Sequence, residues 1–131
     1  MGNLSAHLDS SEVRCHCGCH IGNDGKDFSH ETALTFEQLR KYCSNALGKD
    51  TPLEILSGYR CEKHNAETPN ATPHSQHLLG TALDIACPDG LPYDLFYSGA
   101  DKLNPDGGVG KYPEKNFVHI DTRGKRARWE G

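Results

Sequence analysis

Apolar residues recur with a helical period in one segment of this 131-residue chain, residues 35–47. The spacing predicts a helix over this segment with one apolar face. Thr35 and Gln38 have the spacing of a capping box at its start, and Gly48 suits the position that ends a helix. The residues that share the apolar face are Phe36, Leu39, Cys43 and Leu47.

Two other segments, residues 81–87 and 117–122, alternate apolar and polar positions with a period of two. This pattern predicts strands with one face toward a core and one face carrying polar groups. Asp84 lies on the polar face of the first strand. His119 and Asp121 lie on the corresponding face of the second, so the three side chains are candidates for a common site.

The remaining elements are shorter. The sequence predicts a strand at 53–56, one or two helical turns at 61–67, a short helix at 93–100 and a Gly-rich turn at 104–110. Strands and helices alternate without a βαβ rhythm. We therefore predict an α+β fold with a small antiparallel sheet and flanking helices.

Length and composition narrow the function classes. A chain of this size forms one domain, here predicted as residues 31–131, with residues 1–30 as a Cys-rich segment packed on it. No apolar run approaches the roughly 20 residues of a membrane span. The net charge of −4 argues against a broad basic face for nucleic acid. We expect a monomer without nucleic-acid partners.

Two features of the sequence point to different cellular locations. The first ten residues carry neither a basic region nor an apolar core, so no signal peptide is visible. Synthesis in the cytoplasm is expected on that ground. The even number of cysteines, six, instead suits an oxidising compartment, reached by secretion or export along another route.

Eight histidines and six cysteines make a metal site the first chemistry to consider. His77 precedes the strand that carries Asp84, and His119 lies on the later strand. Two imidazoles and one carboxylate form a three-ligand set for zinc that leaves a fourth position for water. The alternative is that each of these side chains is an ordinary polar residue.

Four sequence blocks carry a specific resemblance. They are residues 57–60 (SGYR), 75–84 (SQHLLGTALD), 108–113 (GVGKYP) and 117–124 (FVHIDTRG). In this order they resemble the M15 family of zinc peptidases, in its D-Ala-D-Ala carboxypeptidase branch. The resemblance covers residues 35–129. It implies a fold related to phage endolysins that cut peptidoglycan and to the hedgehog signalling domain.

The resemblance also implies the ligands of one catalytic zinc ion. His77 and Asp84 match the first two, and His119 matches the third. Some branches use the second position of the final motif, which would make Asp121 the ligand. We prefer His119, because one carboxylate and two imidazoles leave a net charge of +1 and a stronger Lewis acid.

The catalytic base is left open by the sequence. Many branches place a Glu three residues before the last ligand, but this chain has Asn116 there. Asp121 is the first candidate, either as base or as a residue that orients His119. Glu114 is the second candidate.

Substrate contacts are predicted at three positions. Arg60 matches an active-site arginine of the family and can clamp a carboxylate or stabilise an oxyanion. Ser75 can hydrogen-bond to substrate or serve as a turn residue. Tyr112 lines the cleft or belongs to the core.

The cysteines at 15, 17 and 19 alternate in the sequence CHCGCH. Three interpretations compete: disulfides to Cys43, Cys61 or Cys87, a second zinc held with His20 or a distant Cys, or reduced thiols. The usual zinc spacing of two intervening residues is absent, so the second metal is not favoured. We predict a structural role for this segment.

The resemblance implies a zinc metallopeptidase that cleaves peptidoglycan stem peptides by attack of a zinc-activated water. Either a carboxypeptidase or an endopeptidase of the endolysin type fits, and both act at the cell wall. The alternative is a non-catalytic, zinc-containing wall-binding module on the same fold. The missing Glu favours the module, and Arg60 with the open three-ligand site favours the enzyme.

Overall fold

The computed structural model describes residue 8, residues 29–58 and residues 81–130. These residues form two α-helices, a 3₁₀ turn and five strands. The elements are α1 (His30–Leu47), β1 (Ile55–Ser57), β2 (Ala82–Ala86), α2 (Tyr93–Leu103), β3 (Gly108–Tyr112), the 3₁₀ turn (Pro113–Lys115), β4 (Phe117–Asp121) and β5 (Ala127–Glu130).

The strands form one sheet in the order β1-β2-β4-β3-β5. The first three pairings across this order are antiparallel, and β5 runs parallel to β3. The α+β prediction is confirmed, but the sheet is mixed rather than wholly antiparallel. Strands β3 and β5 are not in the sequence prediction, which placed a turn at 104–110. Glycine and charged residues in these segments hide the strand pattern.

Helix α1 begins five residues earlier than predicted. The Ser29 hydroxyl caps it by accepting a hydrogen bond from the backbone N–H of Thr32 at 3.3 Å. The predicted cap at Thr35 is wrong, because its hydroxyl donates within the helix to the Glu31 carbonyl at 3.0 Å. The helix ends as predicted at Gly48, where φ is +69°. This left-handed conformation favours glycine.

The two helices pack on one face of the sheet and form the core with it. The period-two prediction for β2 and β4 is confirmed, since Leu83, Ile85, Val118 and Ile120 are all buried on this face. Leu8, the one described residue among residues 1–28, is fully buried in the same core. The helical residues that join this core include Phe36, Leu39, Cys43, Phe96 and Ala100.

Two of the cysteines lie within this core. Cys43 and Cys87 are buried and free of disulfides, so of the three interpretations, the one that pairs the N-terminal cysteines with either of these two is wrong. Burial raises the pKa of Cys43 to about 12, which keeps its thiol protonated and unreactive. Cys61, the CHCGCH segment and the predicted helical turns at 61–67 lie outside the described residues.

Neither α1 nor α2 has the length and apolar content that crossing a membrane would require.

Candidate functional site

The sheet face opposite the helices carries the candidate site. Register pairs Asp84 on β2 with His119 on β4, His119 with Gly110 on β3, and Gly110 with Trp129 on β5. These four residues form one row across four strands. Four of their neighbours on the same face are small: Ala82, Ala86, Gly108 and Ala127. The small neighbours leave the functional side chains of the row room to meet.

His119 lies between two carboxylates. Its Nδ1 is 3.0 Å from Asp84 Oδ1, and its Nε2 is 2.7 Å from Asp121 Oδ2. Burial alone would lower the pKa of His119, but the hydrogen bonds to Asp121 and Asp84 outweigh burial and raise it. The two carboxylates therefore favour the protonated form of the ring, in which both nitrogens can donate.

Asp121 is completely buried and its carboxylate is saturated with donors. Oδ1 accepts from the backbone N–H of Gly108 at 3.0 Å and from Arg123 Nε at 2.8 Å. Oδ2 accepts from Arg123 Nη2 and His119 Nε2, each at 2.7 Å. Burial raises the pKa of Asp121, but Arg123 and His119 outweigh it and hold that pKa well below its usual range. These partners favour the ionised form of Asp121, which acts as a hydrogen-bond acceptor.

The turn before β3 is shaped to fit this carboxylate. A Cβ at Gly108 would overlap the Asp121 carboxylate, so only glycine brings its N–H close enough to donate. Asn104 Nδ2 donates to the carbonyls of both Gly108 and Asp121, at 3.1 and 2.9 Å. Arg128, on the opposite face of the sheet, also contacts this turn. Its Nη2 donates a hydrogen bond to the Asn104 carbonyl at 2.9 Å. The turn is therefore fixed relative to β4.

An aromatic group borders His119. The Trp129 indole reaches across Gly110, and its ring centroid is 5.1 Å from that of His119. A Cβ at Gly110 would lie 2.6 Å from Trp129 Nε1, which explains the glycine. The indole N–H donates to the Tyr112 hydroxyl at 2.8 Å, and the Tyr112 ring stacks on Phe117 at 4.6 Å. These three rings contact one another and border the row of site residues.

The predicted site residues are partly brought together. Asp84, His119 and Asp121 meet, and Tyr112 joins them through Trp129. Glu114 is exposed in the 3₁₀ turn, beyond the Tyr112–Phe117 pair. The remaining predicted residues, namely His77, Arg60, Ser75, Cys15, Cys17 and Cys19, lie outside the described residues.

The donor set fits zinc as far as the structure describes it. Within residues 29–58 and 81–130, no three His, Cys, Asp or Glu side chains form a metal-binding group. Two donors of the predicted set do meet, His119 Nδ1 and Asp84 Oδ1, 3.0 Å apart. Neighbouring ligands of a tetrahedral zinc with bonds of about 2.0–2.1 Å lie about 3.3 Å apart. The carboxylate behind Nε2 is the partner that zinc-binding histidines usually have.

Sequence reasoning missed Arg123, Trp129 and the two glycines of β3. The alternation of Gly108, Val109 and Gly110 could have indicated a strand whose polar-side positions must be small. Nothing in the sequence indicates that β5 returns parallel to β3. The role of Trp129 becomes visible only in the structure.

Comparison with known proteins agrees with this geometry. The profile of the family described as Peptidase M15 matches residues 6–121, which include every residue of the row except Trp129. The chain belongs to the peptidase M15 family. The match begins at residue 6, within the Cys-rich segment 1–30, and ends at Asp121.

Two curated relatives of this M15 chain have informative names. A probable peptidoglycan L,D-endopeptidase MepK of Haemophilus influenzae is 32% identical over 100 residues, covering 73% of this chain and 52% of that protein. The peptidoglycan L,D-endopeptidase MepK of Escherichia coli strain K12 is 35% identical over 98 residues, covering 72% and 52%. The chain spans about half the length of the curated relatives it matches.

Proposed function

We propose that this chain is a zinc-dependent peptidase that cleaves stem peptides of peptidoglycan, as an endopeptidase at the cell wall. The observation that carries the proposal is the placement of His119 between Asp84 and Asp121 in a chain of the M15 family. The names of the relatives favour an endopeptidase acting on an L,D bond over the carboxypeptidase that the sequence also suggests.

The metal ligands in this proposal are His77, Asp84 and His119, the last through Nδ1. Support for His119 comes from its ring orientation, because Nδ1 faces Asp84 while Nε2 faces Asp121. When bound, zinc would polarise the scissile carbonyl and acidify a water molecule at the open position. His77 stays a prediction from the family motif.

Asp121 serves in this proposal to orient His119, and it is neither ligand nor base. Both of its oxygens already accept hydrogen bonds, two of them from the Arg123 guanidinium. Displacing them would leave the partly buried Arg123 guanidinium without its partner on a fully buried carboxylate, which is costly. Its lowered pKa also makes Asp121 a poor proton acceptor. Glu114, the second base that the sequence suggests, stays a prediction from the sequence, since it is exposed in the 3₁₀ turn beyond the Tyr112–Phe117 pair.

Substrate binding is assigned to Arg60, Ser75 and Tyr112. Tyr112 is supported by its position, since its hydroxyl accepts from Trp129 at the edge of the row. Arg60 and Ser75 rest on the family motif.

The second candidate function is a wall-binding module without catalysis, favoured by Asn116 at the position of the usual Glu. The structure supplies a conformational reason for this residue. Asn116 has φ of +59° at the end of the 3₁₀ turn, a left-handed conformation that asparagine adopts more readily than glutamate. The missing Glu is therefore weak support for a module.

Digestion of purified sacculi tests the proposal. Zinc-loaded protein is incubated with sacculi and with defined muropeptides, and the fragments are identified by mass spectrometry. We expect cleavage at an L,D bond by the wild type and none by His119→Ala. His30→Ala, which removes an exposed histidine at the start of α1, is the matched control and should cleave normally. Bound zinc without cleavage between pH 5 and 9 would favour the module.

A further inference from the structure

Four side chains around the candidate centre form a closed circuit of contacts. His119 Nε2 contacts Asp121, and Asp121 contacts the Arg123 guanidinium, each at 2.7 Å. Arg123 Cζ is 5.1 Å from the centroid of the Trp129 ring, and that ring is 5.1 Å from the His119 ring. Each member thus has two neighbours within the circuit.

Arg123 makes a two-pronged contact that a simple positive charge cannot reproduce. Its Nε and Nη2 donate to the two different oxygens of Asp121, at 2.8 and 2.7 Å. This fork fixes the plane of the carboxylate, and the carboxylate plane fixes where His119 Nε2 must point. The backbone N–H of Arg123 also contacts Asp121 Oδ1 at 3.3 Å.

Trp129 closes the circuit from β5, two strands away from His119 on the same face of the sheet. Two strand spacings, about 9.6 Å, separate its backbone from that of His119, and Gly110 lies between them. The indole spans this gap because Gly110 has no side chain, and the Tyr112 hydroxyl holds its Nε1 at 2.8 Å. Trp129 therefore supports the ring of His119 and the face of the Arg123 guanidinium together.

We propose that Arg123 and Trp129 are positioning residues that fix the His119 ring so that Nδ1 faces Asp84. This inference rests on the proposed function, in which that nitrogen is a metal ligand. Arg123 acts through Asp121, and Trp129 acts through direct ring contact and through Arg123. Neither residue is assigned a contact with substrate.

Arg123→Lys is the decisive variant, because it keeps the charge and removes the planar fork. We expect its zinc affinity, measured by competition with a chromophoric chelator, to fall by about 10- to 100-fold. Loss of a residue that orients a metal ligand commonly has an effect of this size. The zinc affinity of Arg123→Ala should fall at least as far. Arg126→Lys is the matched control: Arg126 is 58% exposed, contacts Asp101 only at 3.4 Å, and should keep its affinity.

A second readout concerns the ring itself. In ¹⁵N-labelled protein, the Nε2 proton of His119 should give a sharp, slowly exchanging signal, since it is hydrogen-bonded to a buried carboxylate. We expect this signal to broaden or disappear in Arg123→Lys and to persist in Arg126→Lys. A loss of overall stability alone would not produce this difference in samples that remain folded, as checked by thermal unfolding.

Trp129→Phe tests the other side of the circuit without touching Asp121. The smaller ring should not reach both His119 and Arg123, so zinc affinity should fall, by less than in the Arg123 variants. This variant also keeps the test decisive if the Arg123 variants do not fold.

Unchanged zinc affinity and an unchanged His119 signal in Arg123→Lys would overturn the inference. If the wild type binds no zinc, the proposed function fails, and the Nε2 signal of the zinc-free protein still decides whether Arg123 positions the ring. A weakened affinity with the signal lost in Arg123→Lys, but not in Arg126→Lys, supports it.

Discussion

At the scale of single residues, the environment of Asp121 separates roles that the sequence leaves open. A carboxylate two positions after a candidate ligand can bind metal, accept a proton or orient its neighbour. The contacts from Gly108 and Arg123 occupy the lone pairs that the first two roles need. The Gly108 contact depends on strand β3, which the sequence patterns did not predict, so the role of Asp121 could not be chosen beforehand.

Asp121→Asn is the direct test of this role. The variant keeps the shape but loses the charge that pairs with Arg123 and holds His119. We expect zinc affinity to weaken by about 10- to 100-fold, with turnover of the zinc-saturated protein largely kept. The measurements are a chelator competition and a muropeptide cleavage rate at saturating zinc. Full zinc affinity with turnover reduced by about 10² to 10⁴ would instead identify Asp121 as the base.

Gly108→Ala tests the close approach that Asp121 requires. The added methyl would overlap a buried carboxylate that Arg123 and His119 hold on its other sides. Overpacking of this kind costs about 1–3 kcal/mol, so the midpoint of urea unfolding should fall accordingly. A variant as stable as the wild type would show that the turn is not packed against Asp121.

At the scale of elements, the sequence predicted those whose burial follows a simple period. The apolar faces of α1, β2 and β4 were predicted correctly, because each of them packs against the same core. Strands β3 and β5 were missed for a physical reason. On the site face, β3 carries glycines where the Asp121 carboxylate and the Trp129 indole need space, and this removes the side chains that would identify a strand. The parallel return of β5 is a tertiary contact without a local signal.

Tyr93 ties α2 to the strands that carry the site. Its hydroxyl donates to the Phe117 carbonyl at 2.6 Å and accepts from the Tyr112 backbone N–H at 2.8 Å. Tyr93→Phe removes both bonds and should lower the free energy of unfolding by about 1–3 kcal/mol. Tyr97→Phe, which keeps the ring that Lys111 contacts, is the control and should change stability less.

The same residue predicts a pH dependence. Burial raises the pKa of Tyr93 to about 12, whereas an unfolded tyrosine titrates near 10. The unfolded chain therefore loses this proton first, and the stabilisation present below pH ~10 is lost as the pH rises toward 12. Chemical unfolding at several pH values should show this decline in the wild type and a shallower one in Tyr93→Phe. Parallel declines would contradict the assignment.

At the scale of the whole molecule, the family assignment from sequence motifs is confirmed, and the family match extends to residue 6. The prediction that residues 1–30 pack on the domain remains to be tested, and Leu8 offers the means. Its side chain is fully buried with the core residues of both helices and the sheet. The pairing of the N-terminal cysteines could not be read from their spacing, and Cys43 and Cys87 are excluded as partners only by the structure.

Leu8→Ala should therefore destabilise the protein as a core truncation does, by about 2–5 kcal/mol in urea unfolding. Leu34→Ala is the matched control, because Leu34 is 47% exposed on α1 and its truncation should change stability by less than about 0.5 kcal/mol. Equal, small effects of the two substitutions would show that the segment 1–30 does not contribute to the domain core.

In the proposed function, zinc held by Asp84 and His119 is required for cleavage of peptidoglycan peptides. The most direct measurement removes metal with a chelator, returns zinc stepwise, and follows zinc content and cleavage of one defined muropeptide on the same samples. We expect cleavage to rise in proportion to zinc occupancy, up to one zinc per chain. We expect Asp84→Asn neither to bind zinc tightly nor to cleave the muropeptide. Cleavage that persists in the metal-free protein, or zinc bound equally well by Asp84→Asn, would contradict this proposal.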